Sequence, residues 1–127
     1  MKHSQRFLAL VNEAKKKVRD IDTSEVLKKI QKKVNFFLVD VREESEWARG
    51  HLPHAIHMSK GVIERDVESK FPNLDQEIVL YCGGGYRSVL AADNLQKMGY
   101  TNVSSMSGGF RVWLEEGRPI VEDSKKD

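Results

Sequence analysis

Phe36-Phe37-Leu38-Val39 is a continuous apolar run with none of the apolar–polar alternation that marks a strand with one wet face. A run of this length fits a strand covered on both sides, and such strands belong to parallel sheets flanked by helices on each face. A second short apolar run, Ile78-Val79-Leu80-Tyr81, follows after helix-like sequence. Parallel neighbours need long crossover connections, so everything between these runs is expected to carry helices.

The rest of the chain meets that demand. Phe7, Val11, Ala14 and Val18 recur at helical spacing with Leu10 beside them, predicting an amphipathic helix over about residues 4–19. Ile21 begins a short strand. Asp22-Thr23-Ser24-Glu25 has capping-box spacing and opens a helix through Val26, Leu27 and Ile30 that ends near Lys33. After Asp40-Val41-Arg42, a short helix from Glu43 to Arg49 stops at Gly50, and Ala55-Ile56-His57-Met58 reads as a strand. Ser59 is placed to cap a helix that points Val62, Ile63, Val67 and Phe71 inward and is closed by Pro72. The strand at residues 78–81, a helix to Met98, a strand from Asn102 to Met106 and a last helix around Phe110 to Leu114 complete the order. This predicts an α/β fold: a doubly wound, mainly parallel five-stranded sheet with helices on both faces, plus an extra N-terminal helix.

A chain of 127 residues is one domain and buries roughly two-thirds of its unfolded surface. Residues 1–19 read as a helical extension, 20–120 as the domain and 121–127 as a polar tail. The N-terminal run Phe7-Leu8-Ala9-Leu10-Val11 is too short for a secretion signal or a membrane span, and one cysteine permits no internal disulfide. Both features point to a cytoplasmic protein. Residues 1–33 hold ten Lys/Arg against four Asp/Glu, leaving eleven against fifteen in the remainder. The basic clusters lack interleaved aromatics for base stacking, so they read as solvated helix faces rather than a nucleic-acid surface. The basic helix remains the best place for a protein partner.

That one cysteine, Cys82, stands between the second apolar run and Gly83-Gly84-Gly85, with Tyr86-Arg87-Ser88 opening the next helix. Glycines let successive N–H groups curl toward one point, and a helix start adds the positive end of its dipole. Lowering a thiol pKa by two units takes about 2.7 kcal/mol. A helix dipole supplies only ~0.3–1 kcal/mol, so inward amides or Arg87 must provide much of the rest. The alternative is an inert buried cysteine, for which three glycines and an arginine are poor packing material. Asp40 and Arg42, at the end of the other apolar run, fall where parallel sheets build their sites.

In these stretches the sequence resembles the rhodanese-homology domain, a single-domain sulfurtransferase. The likeness covers about residues 20–120 and is carried by Val39-Asp40-Val41-Arg42 with Glu46-Trp47, by Gly50-His51-Leu52-Pro53-His54-Ala55-Ile56, by residues 78–88, and by Gly108-Gly109-Phe110 through Trp113 to Gly117-Arg118-Pro119. His54 stands where the family most often has glycine, and Ser107 precedes the double glycine where another residue is common. The resemblance implies a thiosulfate sulfurtransferase-like enzyme that needs no cofactor. Cys82 would take a sulfane sulfur from thiosulfate or a persulfide, hold it as a persulfide and pass it to a thiol or cyanide-like acceptor. Gly83, Gly84, Gly85, Tyr86, Arg87 and Ser88 would form the cradle. Asp40 and Arg42 would brace the loop or serve only as a structural ion pair or helix cap.

Other readings follow from the same residues. A cysteine-dependent phosphatase or arsenate reductase also uses a Cys-to-Arg loop, but with five intervening residues where four lie between Cys82 and Arg87. The glycines lack the third member of a dinucleotide fingerprint and the Lys-Ser/Thr ending of a phosphate loop. His51, His54 and His57 repeat every three residues, yet Pro53 prevents the helix that would gather them around a metal. A sulfur carrier or binding module for a dedicated partner shares the persulfide intermediate and differs only in acceptor.

Overall fold

Strand β4 (Ile78–Tyr81) is buried along its whole length, between β2 (Phe37–Asp40) and β5 (Val103–Met106). In the computed structural model, which describes residues 3–122, these three strands are flanked by β1 (Arg19–Ile21) and β3 (Ile56–His57). The order is β1-β5-β4-β2-β3 and every pair is parallel. The six helices are α1 (Gln5–Lys15), α2 (Thr23–Gln31), α3 (Glu44–Ala48), α4 (Ile63–Lys70), α5 (Tyr86–Lys97) and α6 (Gly109–Glu115).

Side-chain alternation between two covered faces explains why β4, and β2 up to Asp40, are apolar without a break. Val39, Ile78 and Leu80 enter one core with Val67, Phe71, Val89 and Leu95, on the face covered by α4 and α5. Leu38, Val79 and Tyr81 enter a second core with Val26, Met106 and Trp113, on the face covered by α2 and α6. No helix among the described residues is long and apolar enough to cross a membrane.

Several boundaries differ from the sequence expectation. The first helix ends at Lys15 rather than near residue 19, because Arg19 already pairs with Ser104 in β1. Val18, read as part of its stripe, is buried from the turn between them. Ile21 is the last residue of β1, not its first. Ser59 does not cap α4; its carbonyl closes a turn onto the Val62 N–H at 3.0 Å, and Val62 occupies the cap without a side-chain bond. Asp22 caps α2 as expected, accepting from the Glu25 N–H at 2.9 Å. Val121, the first residue assigned to the polar tail, bridges His51 through paired backbone bonds, and residues 123–127 lie outside the described residues. His54 adopts a left-handed conformation at φ 67, a turn that a non-glycine residue here holds.

Helix α1 is part of the domain, with Val11 and Ala14 buried against α5 and the Gln96 side chain donating to the Lys17 carbonyl at 2.9 Å. Its apolar stripe is thereby used inside the chain. Leu10 remains exposed.

Candidate active site

At the C-terminal end of β4 the backbone leaves the sheet, and Cys82 is the first residue beyond it. Gly85 then adopts a left-handed conformation at φ 97 as the N-cap of α5, which turns the chain back over the sulfur. Two backbone N–H groups converge on Cys82 Sγ: Gly85 at 3.1 Å and Ser88 at 3.3 Å. These are amides of the first turn of α5, free of intrahelical partners and at the positive end of its dipole. The Cys82 thiol donates to Ser88 Oγ at 3.5 Å, and that hydroxyl bonds Ser105 Oγ at 2.8 Å. On loss of the thiol proton the Ser88 hydroxyl is free to turn and donate to the sulfur instead. Negative charge at Sγ therefore meets two fixed donors and one rotatable one.

The outer side of the loop is held by α6. Phe110 N–H donates to the Cys82 carbonyl at 2.8 Å and Arg111 N–H to the Gly83 carbonyl at 3.0 Å. So close an approach has no room for a side chain at Gly109. A Cβ there would stand 2.5 Å from the Cys82 carbonyl oxygen, and its φ is +62. The Gly108-Gly109 pair is thus the mould against which the cysteine loop is cast.

The six residues expected to form the cradle occupy different places. Gly85 and Ser88 touch the sulfur through their amides; Gly84, Tyr86 and Arg87 line a cavity of about 360 Å³ together with Cys82, His3 and Phe7. Gly83 lies beside a neighbouring cavity of about 320 Å³ bounded by Arg42, Glu46 and Phe110. Cys82 itself is only 1% exposed, and that exposure lies toward residues that line the first cavity.

Arg87 is engaged by Glu46, its Nη1 and Nη2 meeting the two carboxylate oxygens at 2.9 and 3.1 Å. The Arg87 hydrogen bonds hold the Glu46 carboxyl below the usual carboxylate range, helped by the Glu43 N–H, while partial burial opposes them. Because the folded-state value is the lower one, the ion pair contributes stability above the ordinary glutamate pKa, about 4.3, and loses it as pH falls through the folded value. Glu46→Gln is expected to cost about 0.5–1 kcal/mol at pH 7. Urea unfolding across a pH series from 7 downward checks this: the gap between variant and parent should narrow as the Glu46 carboxylate of the folded parent takes up its proton.

Asp40 and Arg42 touch none of the residues 83–88 through the hydrogen bonds they make. Both are buried, and the Arg42 Nη2 meets Asp40 Oδ2 at 2.8 Å while its Nε lies 3.0 Å from Oδ1. Asp40 also accepts from the Tyr81 hydroxyl at 2.7 Å, and Arg42 donates to the Gly50 carbonyl at 2.7 Å and stacks 4.1 Å above the Phe110 ring. Burial, and then the Asp40 carboxylate, push the Tyr81 phenol far above its ordinary pKa, so it stays a donor. The pair thus contacts Tyr81, which precedes Cys82, and Phe110, whose N–H bonds the Cys82 carbonyl.

The histidine triplet does not converge. The His51 and His57 rings stack on Trp47, with centroids 3.5 and 5.1 Å away, and their nitrogens lie 2.9 and 2.8 Å from the carbonyls of Leu52 and Arg42. His54 faces a surface cavity beside Lys33 and Phe36.

Sequence reading passed over Glu46 as the partner of Arg87, Ser105, the Gly109 contact, and His3 with Phe7. Ser105 carried a signal: Ser104 and Ser105 are two polar residues in a strand that is wholly buried.

A family model described as the rhodanese-like domain matches residues 22–116. A sulfurtransferase of Allochromatium vinosum is 33% identical over 104 residues, covering 82% of this chain and 95% of its own. The polysulfide-sulfur transferase homodimer of Wolinella succinogenes superposes with a TM-score of 0.78 at 28% identity, over 91% of this chain and 87% of that one. A Rhodopseudomonas palustris protein of unknown function, described as "Possible Tyrosine Phosphatase", superposes at 0.85 with 27% identity, over 95% and 98%. The matched span runs from the cap of α2 to the end of α6 and contains the whole Cys82 loop with the helix that moulds it, so the chain belongs to the rhodanese-like domain family.

Proposed function

We propose that the protein is a sulfurtransferase that moves a sulfane sulfur from thiosulfate or a persulfide donor to a thiophilic acceptor through a persulfide on Cys82. The observation that carries this reading is the convergence of the Gly85 and Ser88 amides on Sγ at the floor of a cavity. With thiosulfate, the Cys82 thiolate attacks the outer sulfur, the S–S bond of the donor breaks with its electron pair leaving on sulfite, and the enzyme holds Cys-S–S⁻. An acceptor such as cyanide or a thiolate then takes the outer sulfur, and the electron pair returns to Sγ. Each species places negative charge at the loop, where donors are already aimed and need no rearrangement.

In this reading Gly83, Gly84, Gly85, Tyr86, Arg87 and Ser88 surround the transferred sulfur. Arg87, held in place by Glu46, orients an anionic donor, and Asp40 and Arg42 are positioning residues. The sulfurtransferase names of relatives support the chemistry. The loop between Cys82 and Arg87 has four residues, a tighter ring than the five of cysteine phosphatases, and suits one sulfur atom better than a tetrahedral phosphate. A thiol that must stay reduced between turnovers suits a cytoplasmic setting.

Thiocyanate release from thiosulfate and cyanide tests the proposal. Cys82→Ser should lower turnover by at least about 10³-fold, the scale on which loss of a covalent nucleophile is felt. Hydrolysis of an aryl phosphate by a protein that forms no thiocyanate would replace this reading with the phosphatase one.

A further inference from the structure

The cavity over Cys82 has walls from two distant parts of the chain. Gly84, Tyr86 and Arg87 come from the cysteine loop and the first turn of α5, while His3 just precedes α1 and Phe7 lies in its first turn. The three aromatic rings form one cluster: His3 meets Tyr86 edge-on at 4.7 Å and Phe7 at 5.2 Å, and Phe7 lies 6.1 Å from Tyr86. The Lys15 ammonium sits 5.7 Å from the Tyr86 ring, adding a second tie between α1 and the mouth. Phe7 is held in place from below, because its N–H donates to the capping hydroxyl of Ser4 at 3.2 Å and the next turns of α1 bury Val11 and Ala14. The roof therefore rests on the same helix, α5, whose N-terminus holds the sulfur.

We infer that α1 is a specificity element and that His3 and Phe7 are specificity-determining residues, roofing Cys82 so that only slender reactants reach it. The class admitted is small or unbranched at its sulfur end: inorganic thiosulfate, an inorganic polysulfide, or a persulfide at the tip of an extended chain. A sulfur next to an aromatic ring, or a cysteine set in a folded protein surface, is excluded. The cavity volume of about 360 Å³ is near the lower end of small-molecule sites, and the reacting atom at its floor is 1% exposed. The aromatic edges leave little give, since ring pairs of this kind add attraction beyond their buried area.

The inference deepens the sulfur-transfer reading, and its test separates the two. Cys82 is labelled with iodoacetamide and, separately, with a bulky fluorescein iodoacetamide, in the full chain and in Phe7→Ala, Phe7→Leu and the control Leu10→Ala. Opening the roof should raise the bulky reagent's rate by about tenfold, equivalent to ~1.4 kcal/mol of barrier, and leave the small reagent within about twofold. Phe7→Leu keeps the apolar contact of α1 and should give an intermediate ratio; circular dichroism confirms that α1 stays folded. Leu10→Ala should match the parent. The same proteins are then loaded with thiosulfate and with benzenethiosulfonate, whose sulfane sulfur passes to Cys82 as benzenesulfinate leaves. Phe7→Ala should gain loading from benzenethiosulfonate selectively. An unchanged ratio of bulky to small labelling in folded Phe7→Ala overturns the roof. Loading from neither donor, with the labelling ratio shifted, overturns sulfur transfer and leaves the roof standing.

Discussion

Arg42→Ala is expected to lower the free energy of unfolding by about 3–5 kcal/mol, the cost of leaving one member of a buried ion pair without its partner. The Asp40 carboxylate is fully buried, and the Arg42 side chain supplies its contacts at 2.8, 3.0 and 3.1 Å. Without that side chain the carboxylate keeps the Arg42 N–H at 2.9 Å and the Tyr81 hydroxyl at 2.7 Å, too little to replace lost hydration. The Gly50 carbonyl loses its donor and the Phe110 ring loses the cation stacked on it. Arg42→Lys should recover only part of the loss, since one ammonium cannot span both carboxylate oxygens and the Gly50 carbonyl. Urea denaturation of parent and variants measures this; a change under about 1 kcal/mol in Arg42→Ala would show that the pair is energetically idle.

Gly109→Ala should strike both stability and sulfur transfer. A left-handed backbone carrying a side chain costs on the order of 1–3 kcal/mol. The new methyl group would also press on the Cys82 and Gly83 carbonyls, at 2.5 and 2.7 Å, which must withdraw. Withdrawal breaks the bond from the Phe110 N–H to the Cys82 carbonyl, worth another ~1 kcal/mol. The summed expectation is about 2–4 kcal/mol of stability. Turnover should fall by about 10²-fold, because a misplacement near 1 Å is enough for such a loss. Gly84 is the natural comparison, since a Cβ there meets nothing within 4 Å. Gly84→Ala should therefore be far milder in unfolding and in thiocyanate release; equal effects at the two positions would show that the mould formed by α6 does not matter.

The architecture was legible where the physics is local. Phe36 to Val39 and Ile78 to Tyr81 read as two-sided strands because both runs are apolar without alternation, and a parallel sheet follows from that. The Cys82 loop was legible for the same reason: glycines and a helix start are needed wherever a backbone wraps a sulfur. What stayed hidden depends on side chains meeting across the fold. Glu46 and Arg87 are 41 residues apart and belong to α3 and α5, and no periodicity links them. Gly109 was legible only as part of a family motif, and nothing in the sequence showed that its freedom is spent on contact with the cysteine backbone. Phe7 read only as the first member of an amphipathic stripe and His3 carried no signal; only the packing of α1 on α5 brings both into the cavity that Cys82 lines. Asp40 and Arg42 read as bracing the loop or as a structural ion pair or helix cap; what the sequence did not disclose is that the buried pair contacts Tyr81 and Phe110.

The most direct trial of the central claim is intact-protein mass spectrometry after exposure to thiosulfate, with and without a reductant. The parent protein should gain the mass of one sulfur atom and lose it on reduction, while Cys82→Ser gains nothing. A serine variant that still takes up a labile sulfur, or a parent that never does, would contradict the assignment of Cys82 as the atom that carries it.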